Sequence, residues 1–346
     1  MRLLFACDPL LPVPPAGYGG IERIVDDLVR HFRARGHVVG LVAKAGSTCP
    51  ADAFVPWPDE RIAGLGSTLR NALALRATVA RFRPDVVHSF ARLAYLVALL
   101  PGTLPKVMSY QRHTGGRGVG VAARLGGRHL RFTGCSEFIC AQGRRAGGVW
   151  TAIPNFVDLA RFDFAPAVPA DAPLVFLSRL DDIKGPDTAI AIARAAGRRL
   201  ILAGNVSADP RQRRFFEERL RPHFGRDGIE YVGEVGDAAK DRLLRSAAAL
   251  LVPIRWEEPF GIVFAEALAC GTPVISCPSG ALPEIVESGR TGFLIPSEDV
   301  AAGVVAVSRL AEIDRRACRT VAETRFSLSV VGAAYETLYR EVADRR

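Results

Sequence analysis

Short apolar runs alternate with amphipathic stretches through the first half of the chain. Residues 2–7 and 38–43 are apolar enough for buried strands, and residues 21–35 between them repeat apolar side chains at helical spacing. Further apolar runs indicate three more short strands, at 85–88, 106–110 and 131–135. Apolar strands separated by helices predict a parallel sheet that is covered on both faces.

The same alternation restarts in the second half, after a proline-containing stretch at 153–170 with the composition of a linker. The predicted strands there are 174–180, 199–203, 229–232, 248–254 and 273–276. The predicted helices are 186–196, 209–223, 238–247, 261–269 and 328–342. We therefore predict an α/β protein with two doubly wound Rossmann-like domains facing a cleft.

The expected boundaries are residues 1–160 for the first domain and 161–326 for the second. Residues 327–346 are expected to form a C-terminal helix that packs back toward the first domain. Because ligands of open parallel sheets bind at the carboxyl ends of the strands, the loops that follow the strands carry the candidate chemistry.

A glycine-rich segment, PPAGYGG at 14–20, joins the first strand to the first helix. Gly19 and Gly20 let the backbone approach a ligand closely, and the helix that follows offers unpaired N–H groups and the positive end of its dipole. The segment is a candidate binding site for a phosphate. An ordinary surface turn is the alternative.

Arg179 and Lys184 lie in the segment RLDDIKG, after the first strand of the second domain. Lys184 is one of only four lysines, against 41 arginines. A lysine in so arginine-rich a chain suggests that phosphate is bound by a compact ammonium charge rather than by the planar, bidentate contact of a guanidinium. The alternative is a local ion pair between Lys184 and Asp181 or Asp182.

The segment EEPFGIVFAEALACGTPVI, at 257–275, carries the most specific pattern. A helix is expected to begin near Phe260, so that its first-turn N–H groups can hold a diphosphate. Glu258 lies just before this helix, and Glu266 lies within it, where vicinal sugar hydroxyls are suitable partners. For Glu266, capping of a neighbouring loop is the alternative. The other candidate binding residues are Pro259, Phe260, Gly261, Ile262 and Val263.

Gly233 follows the predicted strand 229–232, where a base could stack or bond to the backbone. The chain has no D-x-D carboxylate pair, no Walker A sequence and no serine nucleophile elbow. A Rossmann dehydrogenase is disfavoured, because the first strand leads to PPAGYGG and not to a dinucleotide fingerprint.

Together these segments resemble the family-4 retaining glycosyltransferases of the GT-B fold. Their E-x7-E signature is matched by Glu258 and Glu266. Further agreement, in the family's order and over essentially the whole chain, comes from GGIERIVDDLVRHFRARGH, IPNFVD, RLDDIKG and GALPEIVESGRTGFLI. The resemblance implies the fold and a nucleotide-sugar donor, without identifying the sugar or the acceptor.

The resemblance also implies roles for the matched positions. Arg179 and Lys184 would neutralise the donor diphosphate. Glu258 would hold hydroxyls of the transferred sugar, and Glu266 would bind the ribose. Backbone amides of residues 260–263, and of the two glycines at 19 and 20, would touch phosphate or sugar.

Many members carry a histidine just after the strand that corresponds to residues 106–110. In this chain Gln111 takes that place and His113 follows two residues later, so both are candidate contacts of the sugar. The family works without a bound metal, which agrees with the missing D-x-D, and no cofactor is expected.

The reaction implied is metal-independent transfer of a hexose from a UDP- or GDP-sugar to an unidentified acceptor, with retention and a front-face mechanism. The departing phosphate oxygen would accept the acceptor's proton, so no protein base is nominated. A nucleotide-sugar-binding protein without transferase activity and a nucleotide-sugar epimerase on the same fold are the alternatives.

The net charge of +9 is distributed unevenly. Residues 1–160 carry a net charge of +10 and residues 161–346 a net charge of −1, and no acidic residue occurs between Asp85 and Glu137. This basic interval favours a phosphate-bearing small-molecule, glycan or lipid acceptor, or peripheral contact with an anionic membrane, and a solvated face is the alternative. No nucleic acid is expected, because no nucleic-acid motif accompanies the charge.

Seven cysteines at irregular spacing, with no C-x-x-C pair, predict reduced and mostly buried thiols. No leader peptide is recognised, and the longest apolar run, at 93–100, is far shorter than the ~20 residues that span a bilayer. We therefore expect a cytoplasmic protein, or one bound peripherally at the inner face of the membrane. The arginine-rich composition suggests a GC-rich bacterial source.

Overall fold

The computed structural model describes residues 1–17, 19–61 and 64–344. The chain divides into two compact units, which we call unit 1, Met1–Phe156 with Leu328–Arg346, and unit 2, Val157–Ser327. The boundaries expected from the sequence were 160 and 326. Tyr18 of the glycine-rich segment and the last two residues of the expected C-terminal helix lie outside the described residues.

Unit 1 is built on a parallel sheet. Its strands are β1 (Arg2–Ala6), β2 (Val38–Ala43), β3 (Ala53–Pro56), β4 (Val86–Ser89), β5 (Lys106–Tyr110), β6 (Leu130–Gly134) and β7 (Trp150–Ala152). Its helices up to this point are α1 (Gly20–Ala34), α2 (Leu65–Phe82), α3 (Gly116–Gly126) and α4 (Glu137–Arg144), with a short 3-10 helix at Leu93–Leu96. The strand order is β3-β2-β1-β4-β5-β6-β7, and the neighbours pair in parallel.

The first helix shows why the pattern of unit 1 folds as it does. Ile24, Val25, Leu28 and Phe32 of α1 recur at helical spacing and are buried. The ring of Phe32 stacks on that of Phe5 in β1, with centroids 6.1 Å apart. Apolar strands covered by such helices give the two-sided burial that was predicted.

Unit 2 repeats the design on a smaller sheet. Its strands are β8 (Leu174–Leu177), β9 (Leu200–Ala203), β10 (Ile229–Tyr231), β11 (Ala249–Val252), β12 (Val274–Ser276) and β13 (Gly292–Leu294). Its helices are α5 (Pro186–Ala195), α6 (Pro210–Phe215), α7 (Asp237–Ser246), α8 (Ile262–Ala269), α9 (Leu282–Ile285), α10 (Val300–Ser308) and α11 (Arg315–Arg325). The strand order is β10-β9-β8-β11-β12-β13, again with parallel pairing. Two parallel-sheet α/β domains confirm the predicted fold class.

Two predicted helices differ from the observed ones. The single helix expected at 209–223 is α6 followed by a π-helical turn at Phe216–Leu220 and a 3-10 turn at Arg221–His223. The helix expected from Phe260 begins at Ile262. Gly261 has a φ of 80°, a left-handed conformation that suits glycine and delays the start of the helix.

The last helix, α12 (Leu328–Ala343), belongs to unit 1 and packs on α1 and β4. A buried polar chain fixes it there. The hydroxyl of Tyr339 lies 2.5 Å from Nδ1 of His88, and Nε2 of His88 lies 2.6 Å from the hydroxyl of Ser109. Ser109 in turn contacts the hydroxyl of Thr133 at 2.5 Å. Burial lowers the pKa of His88 to about 3, so its imidazole is neutral at physiological pH.

All seven cysteines are buried, as predicted. Within the described ranges, no helix has both the length and the apolar character needed to cross a bilayer.

Candidate functional site

The direction of winding in unit 2 reverses between β8 and β11. From β8 the chain moves outward to β9 and β10, and from β11 it moves the other way to β12 and β13. In open parallel sheets, a ligand crevice forms at the carboxyl ends of the strands beside such a switch point. Arg179 and Lys184 follow β8, and Glu258 follows β11, so the fold brings the loops that carry these three predicted residues to this point.

Glu258 is the centre of the polar contacts at this switch point. Its Oε2 accepts a hydrogen bond from Nζ of Lys184 at 2.5 Å and another from Nε1 of Trp256 at 2.9 Å. The ammonium of Lys184 also lies 4.7 Å from the centre of the Trp256 ring, in a cation–π contact. Lys184 therefore pairs with Glu258 rather than with Asp181 or Asp182, the local partners that the sequence offered.

Two glycines hold the loops of this site together. Gly185 has a φ of 73°, and a Cβ there would lie 2.1 Å from the carbonyl oxygen of Pro253. Gly280 has a φ of 61°, and a Cβ there would lie 2.4 Å from the backbone nitrogen of Glu258. Only glycine permits both the left-handed backbone and these approaches. The glycines of the segments RLDDIKG and GALPE are therefore required for the close packing of the loop that carries Glu258.

Arg179 is oriented by the carboxylate beside it. Its Nη2 lies 3.1 Å from Oδ2 of Asp181, which is buried. Oδ1 of Asp181 is also buried and has no hydrogen-bond partner among the described residues. Asp181 therefore holds the half-exposed guanidinium of Arg179 at the end of β8.

The later start of α8 changes which amides are available. Phe260 lies before the helix, and its ring packs against Phe326, with centroids 5.6 Å apart. The first helical N–H groups belong to Ile262 and Val263, because the N–H of Phe264 already donates to the carbonyl of Gly261 at 3.1 Å. The unpaired backbone amides at the start of α8 are therefore fewer than the four predicted at residues 260–263.

Glu266 is buried within α8, and its Oε1 accepts a hydrogen bond from Nζ of Lys240 in α7. The ammonium of Lys240 also lies 3.7 Å from Asp237 and 5.3 Å from the centre of the Phe162 ring. Glu266 is thus paired with a lysine, and capping of a loop is not its observed contact.

The carbonyl of Gly233, after β10, accepts from the N–H of Gly204 at 2.8 Å. Gly233 has a φ of 77°, which places it in the left-handed region. Its carbonyl is therefore used in a backbone hydrogen bond at the carboxyl edge of the sheet, beside the end of β9.

Sequence reasoning missed two side chains of this site, Lys240 and Trp256. The rarity of lysine that drew attention to Lys184 applies equally to Lys240, which is another of the four lysines. Trp256 directly precedes Glu257 and Glu258, and a partly buried indole N–H needs an acceptor, so this neighbourhood was the available signal.

Unit 1 has its own switch point, between β1 and β4. Asp8 follows β1, and its Oδ1 accepts a hydrogen bond from the backbone N–H of Arg92, after β4, at 3.1 Å. Burial raises the pKa of the Asp8 carboxyl, and the guanidinium of Arg112 opposes that shift. Burial likewise raises the pKa of Glu22. Sequence reasoning did not single out either carboxyl group.

Gly19 precedes α1, which begins at Gly20. A Cβ on Gly19 would lie 2.7 Å from Cβ of Pro15 and 3.0 Å from Oε2 of Glu22. Gly19 therefore lies close to Pro15 and Glu22, a packing reason for its identity that the sequence did not reveal.

Gln111 and His113, after β5, have different surroundings. Oε1 of Gln111 is buried and receives no hydrogen bond from the described part of the chain. His113 is exposed, and its Nδ1 lies 3.1 Å from the amide nitrogen of Gln142 in α4. Its ring meets Phe138 edge-on, with centroids 5.8 Å apart. Gln111 has an unused acceptor at the strand end, whereas His113 faces α4.

The basic interval of unit 1 is only partly solvated. Lys106 is buried, and its Nζ donates to the carbonyls of Gly102 and Leu104 at 2.7 Å. Burial lowers the pKa of Lys106 to about 8. Arg131 is also buried and donates to the carbonyls of Arg128 and Leu130. The exposed members are Arg92, Arg112, Arg117, Arg124 and Arg128.

No group of three or more His, Cys, Asp or Glu side chains among the described residues is arranged to hold a metal ion.

Comparisons with known proteins agree for the two halves of the chain. Residues 18–161 match the family model described as Glycosyltransferase Family 4. Residues 163–325 match the model described as Glycosyl transferases group 1.

Individual relatives match over different lengths. A phosphatidyl-myo-inositol mannosyltransferase of Mycobacterium leprae is 36% identical over 134 residues, which cover 37% of this chain and 36% of the relative. A phosphatidyl-myo-inositol mannosyltransferase of Mycobacterium tuberculosis is 26% identical over 99% of this chain and 97% of its own length. In its first curated matches, the chain spans between 36% and 55% of the relative's length.

Among solved structures, the chain is similar to AviGT4, a glycosyltransferase involved in avilamycin A biosynthesis. The two are 26% identical, the TM-score is 0.74, and the match covers 99% of this chain and 98% of the other.

Proposed function

We propose that this chain, with its family 4 and group 1 glycosyltransferase domains on the GT-B fold, transfers a sugar from a nucleoside diphosphate sugar. The transfer is proposed to retain the configuration at the anomeric carbon. The donor nucleotide proposed is UDP or GDP. The observation that carries the proposal is the contact of Lys184 and Trp256 with Glu258 at the switch point of unit 2.

The donor diphosphate is proposed to bind between the loops after β8 and β11. Arg179 and Lys184 place two positive charges at the strand ends, and the first N–H groups of α8 add a positive helix terminus. Lys184 has three N–H donors, so its bond to Glu258 leaves donors for phosphate oxygens. This arrangement favours a diphosphate without requiring a metal ion.

The two glutamates are proposed to recognise sugar hydroxyls. Glu258 has one oxygen engaged by Lys184 and Trp256, and an ionised carboxylate has acceptor capacity beyond those two bonds. Glu266 would bind the ribose, with Lys240 fixing its carboxylate. A carboxylate that is already held in place loses little freedom when hydroxyls donate to it.

The chemistry proposed is front-face displacement. The diphosphate leaves with its charge stabilised by Arg179, Lys184 and the amides of α8, which are in place before the reaction begins. The departing phosphate oxygen takes the proton of the attacking hydroxyl, so no side chain is assigned as base. The bond to the acceptor then forms on the face from which the diphosphate leaves, which retains the anomeric configuration.

The acceptor is proposed to bind unit 1. Asp8, Glu22 and Gln111 supply polar groups at the carboxyl edge of its sheet, and Arg92 and Arg112 supply positive charge. The arginines suit the phosphate, and the carboxyl and amide groups suit the hydroxyls, of a phosphate-bearing small molecule, glycan or lipid. A lipid acceptor would place unit 1 at an anionic membrane surface.

The proposal is tested by the release of nucleoside diphosphate from a panel of UDP-, GDP- and ADP-sugars. We expect release with one nucleotide series, and a product that keeps the anomeric configuration of the donor. Lys184→Ala and Arg179→Ala should each lower kcat by about 10²- to 10³-fold, as lost oxyanion donors do. Arg213→Ala, an exposed arginine of the same unit, is the matched control and should be unaffected.

Near-normal turnover in both variants would remove Arg179 and Lys184 from the reaction. Tight binding of a nucleotide sugar without release would identify a binding protein instead of a transferase. Conversion of the sugar to an epimer without any acceptor would identify an epimerase.

A further inference from the structure

The outer face of α2 exposes three leucines. Leu65, Leu69 and Leu73 are 91%, 56% and 51% exposed, and their spacing of four places them on one side of the helix. The opposite side of α2 is buried, with Leu75 and Phe82 in the core of unit 1. Single exposed leucines are ordinary, but an ordered stripe on one helix indicates a surface that meets an apolar medium.

This stripe belongs to a larger helical layer. The connections from β3 to β4, from β4 to β5 and from β5 to β6 all advance in the same direction along the sheet. Right-handed crossovers therefore place α2, the 3-10 helix at Leu93–Leu96 and α3 on one face of the sheet. The 3-10 helix packs against both α2 and α3. Exposed apolar side chains continue across this layer, at Val97, Val121 and Leu125.

The same layer is strongly basic. Neither α2 nor α3 contains an acidic residue, and both carry exposed arginines. The carboxylates nearest in sequence are engaged. Before α2, Asp59 pairs with Arg61 and Arg70, and Glu60 pairs with Lys44. After α2, Asp85 accepts a hydrogen bond from the backbone N–H of Arg2, and after α3, Glu137 pairs with Arg144. We define the α2–α3 face by six apolar and five basic residues: Leu65, Leu69, Leu73, Val97, Val121, Leu125, Arg76, Arg81, Arg117, Arg124 and Arg128.

A basic cavity lies at the end of this face. It has a volume of about 500 Å³ and is formed between α3 and the turn from α4 to β7. Arg124, Arg128 and Arg131 line it, and Gly147 on its other wall has open space where a side chain would stand. No acidic side chain is among the lining residues. A phosphate group is the ligand that this charge and shape accommodate.

We propose that the α2–α3 face docks on an anionic lipid bilayer. The leucines enter the boundary between headgroups and acyl chains, and the arginines meet the lipid phosphates, with the basic cavity holding one headgroup. A second copy of this chain is a poor occupant, because a symmetric contact would set two arginine-rich surfaces against each other. The docking requires no turnover, so it stands independently of the proposed reaction.

The test is co-sedimentation of the full chain with lipid vesicles. One set contains phosphatidylcholine alone, and the other contains phosphatidylcholine mixed with phosphatidylglycerol, each at low and high salt. The apolar variant is Leu65→Ser/Leu69→Ser/Leu73→Ser. Its matched control is Val38→Ser/Val305→Ser, which removes exposed valines from other surfaces. The charge variant Arg124→Gln/Arg128→Gln is matched by Arg211→Gln/Arg213→Gln.

We expect the wild-type chain and both controls to bind the phosphatidylglycerol vesicles and to be released by high salt. The leucine variant should bind these vesicles at least about tenfold more weakly than the wild type, because its contact with the acyl boundary is lost. The Arg124/Arg128 variant should bind more weakly and depend less on salt. Thermal unfolding like that of the wild type shows that each variant is folded.

Equal binding to both kinds of vesicle, or undiminished binding by the leucine variant, would overturn the proposal. A dimer in light scattering that disappears only in the leucine variant would assign the face to a second copy, and would likewise overturn it. Nucleotide release is measured on the same samples. A chain that docks but releases no nucleotide disproves the transferase and leaves the docking intact.

Discussion

The carboxylate of Glu258 accepts hydrogen bonds from two parts of the chain, from Lys184 after β8 and from Trp256 in its own loop. The choice of Lys184, Glu258 and Glu266 rested on rarity and on a recognised spacing, and the structure gives each of these side chains a charged partner. The partners were harder to predict. Lys240 reaches Glu266 from another helix, and no spacing in the sequence encodes a contact between helices.

Trp256→Phe separates the hydrogen bond of the Trp256 indole from the ring contact with Lys184. Phenylalanine keeps a ring beneath Lys184 but removes the N–H that donates to Glu258. Loss of a hydrogen bond to a charged group costs about 1.5–3 kcal/mol, so kcat should fall about ten- to a hundredfold, with KM for the donor less affected. Steady-state kinetics with the accepted donor measures both quantities. An unchanged kcat would mean that the indole N–H does not position Glu258 for the reaction.

His88 makes the stability of unit 1 depend on pH. Its pKa is lowered to about 3 in the folded chain by burial, from an ordinary value near 6.5. Between these values the unfolded chain binds a proton that the folded chain does not, so stability is complete above pH ~6.5 and falls as the pH drops. The loss approaches about 1.4 kcal/mol per pH unit for one such group.

Urea unfolding of the wild type and His88→Gln at several pH values between neutral and pH ~5 isolates this contribution, because glutamine does not titrate. The stability difference between wild type and variant should shrink as the pH is lowered. A difference that stays constant across this range would show that His88 is not the titrating group.

Among the elements, α2 shows why some parts of the fold escaped prediction. Its leucines at 65, 69 and 73 face solvent while other apolar residues face the core, so the sequence lacks the one-sided pattern that reveals α1. The strands β3 and β7 lie at the two edges of the sheet and are partly exposed, so they lack the continuous apolar run of a central strand. The strands of the sheet centres were predicted within one to three residues, because burial on both faces makes them continuously apolar.

The attachment of α12 to unit 1 depends on the buried hydroxyl of Tyr339. Tyr339→Phe leaves Nδ1 of His88 without its partner in a closed core, which should cost about 1–3 kcal/mol in free energy of unfolding. Tyr335→Phe is the matched control, because its hydroxyl lies 3.5 Å from Ser109 and should cost less. Urea unfolding compares the two, and equal losses would show that the bond to His88 has no special weight.

Across the whole chain, the two halves differ in charge although they share an architecture. Unit 2 contains the residues proposed to bind the donor, and its sequence carries no excess of positive charge. Unit 1 contains the excess, and the structure shows that two of the seven basic residues between Asp85 and Glu137 are buried for structural reasons. The sequence predicted where the charge lies, but only the fold shows that the exposed arginines of α3 share a layer with the leucines of α2.

A donor site at the switch point of unit 2 is tested by the binding of nucleoside diphosphates and their sugars, measured by thermal shift and titration calorimetry in EDTA. UDP, GDP and ADP series are compared on the wild type, Lys184→Ala and Arg213→Ala. One series should bind the wild type and Arg213→Ala without metal, adding about 2.7 kcal/mol of stability at ~100 times the Kd, and should bind Lys184→Ala far more weakly. Absence of binding by every series, or equal binding to Lys184→Ala, would contradict a donor site at the switch point of unit 2.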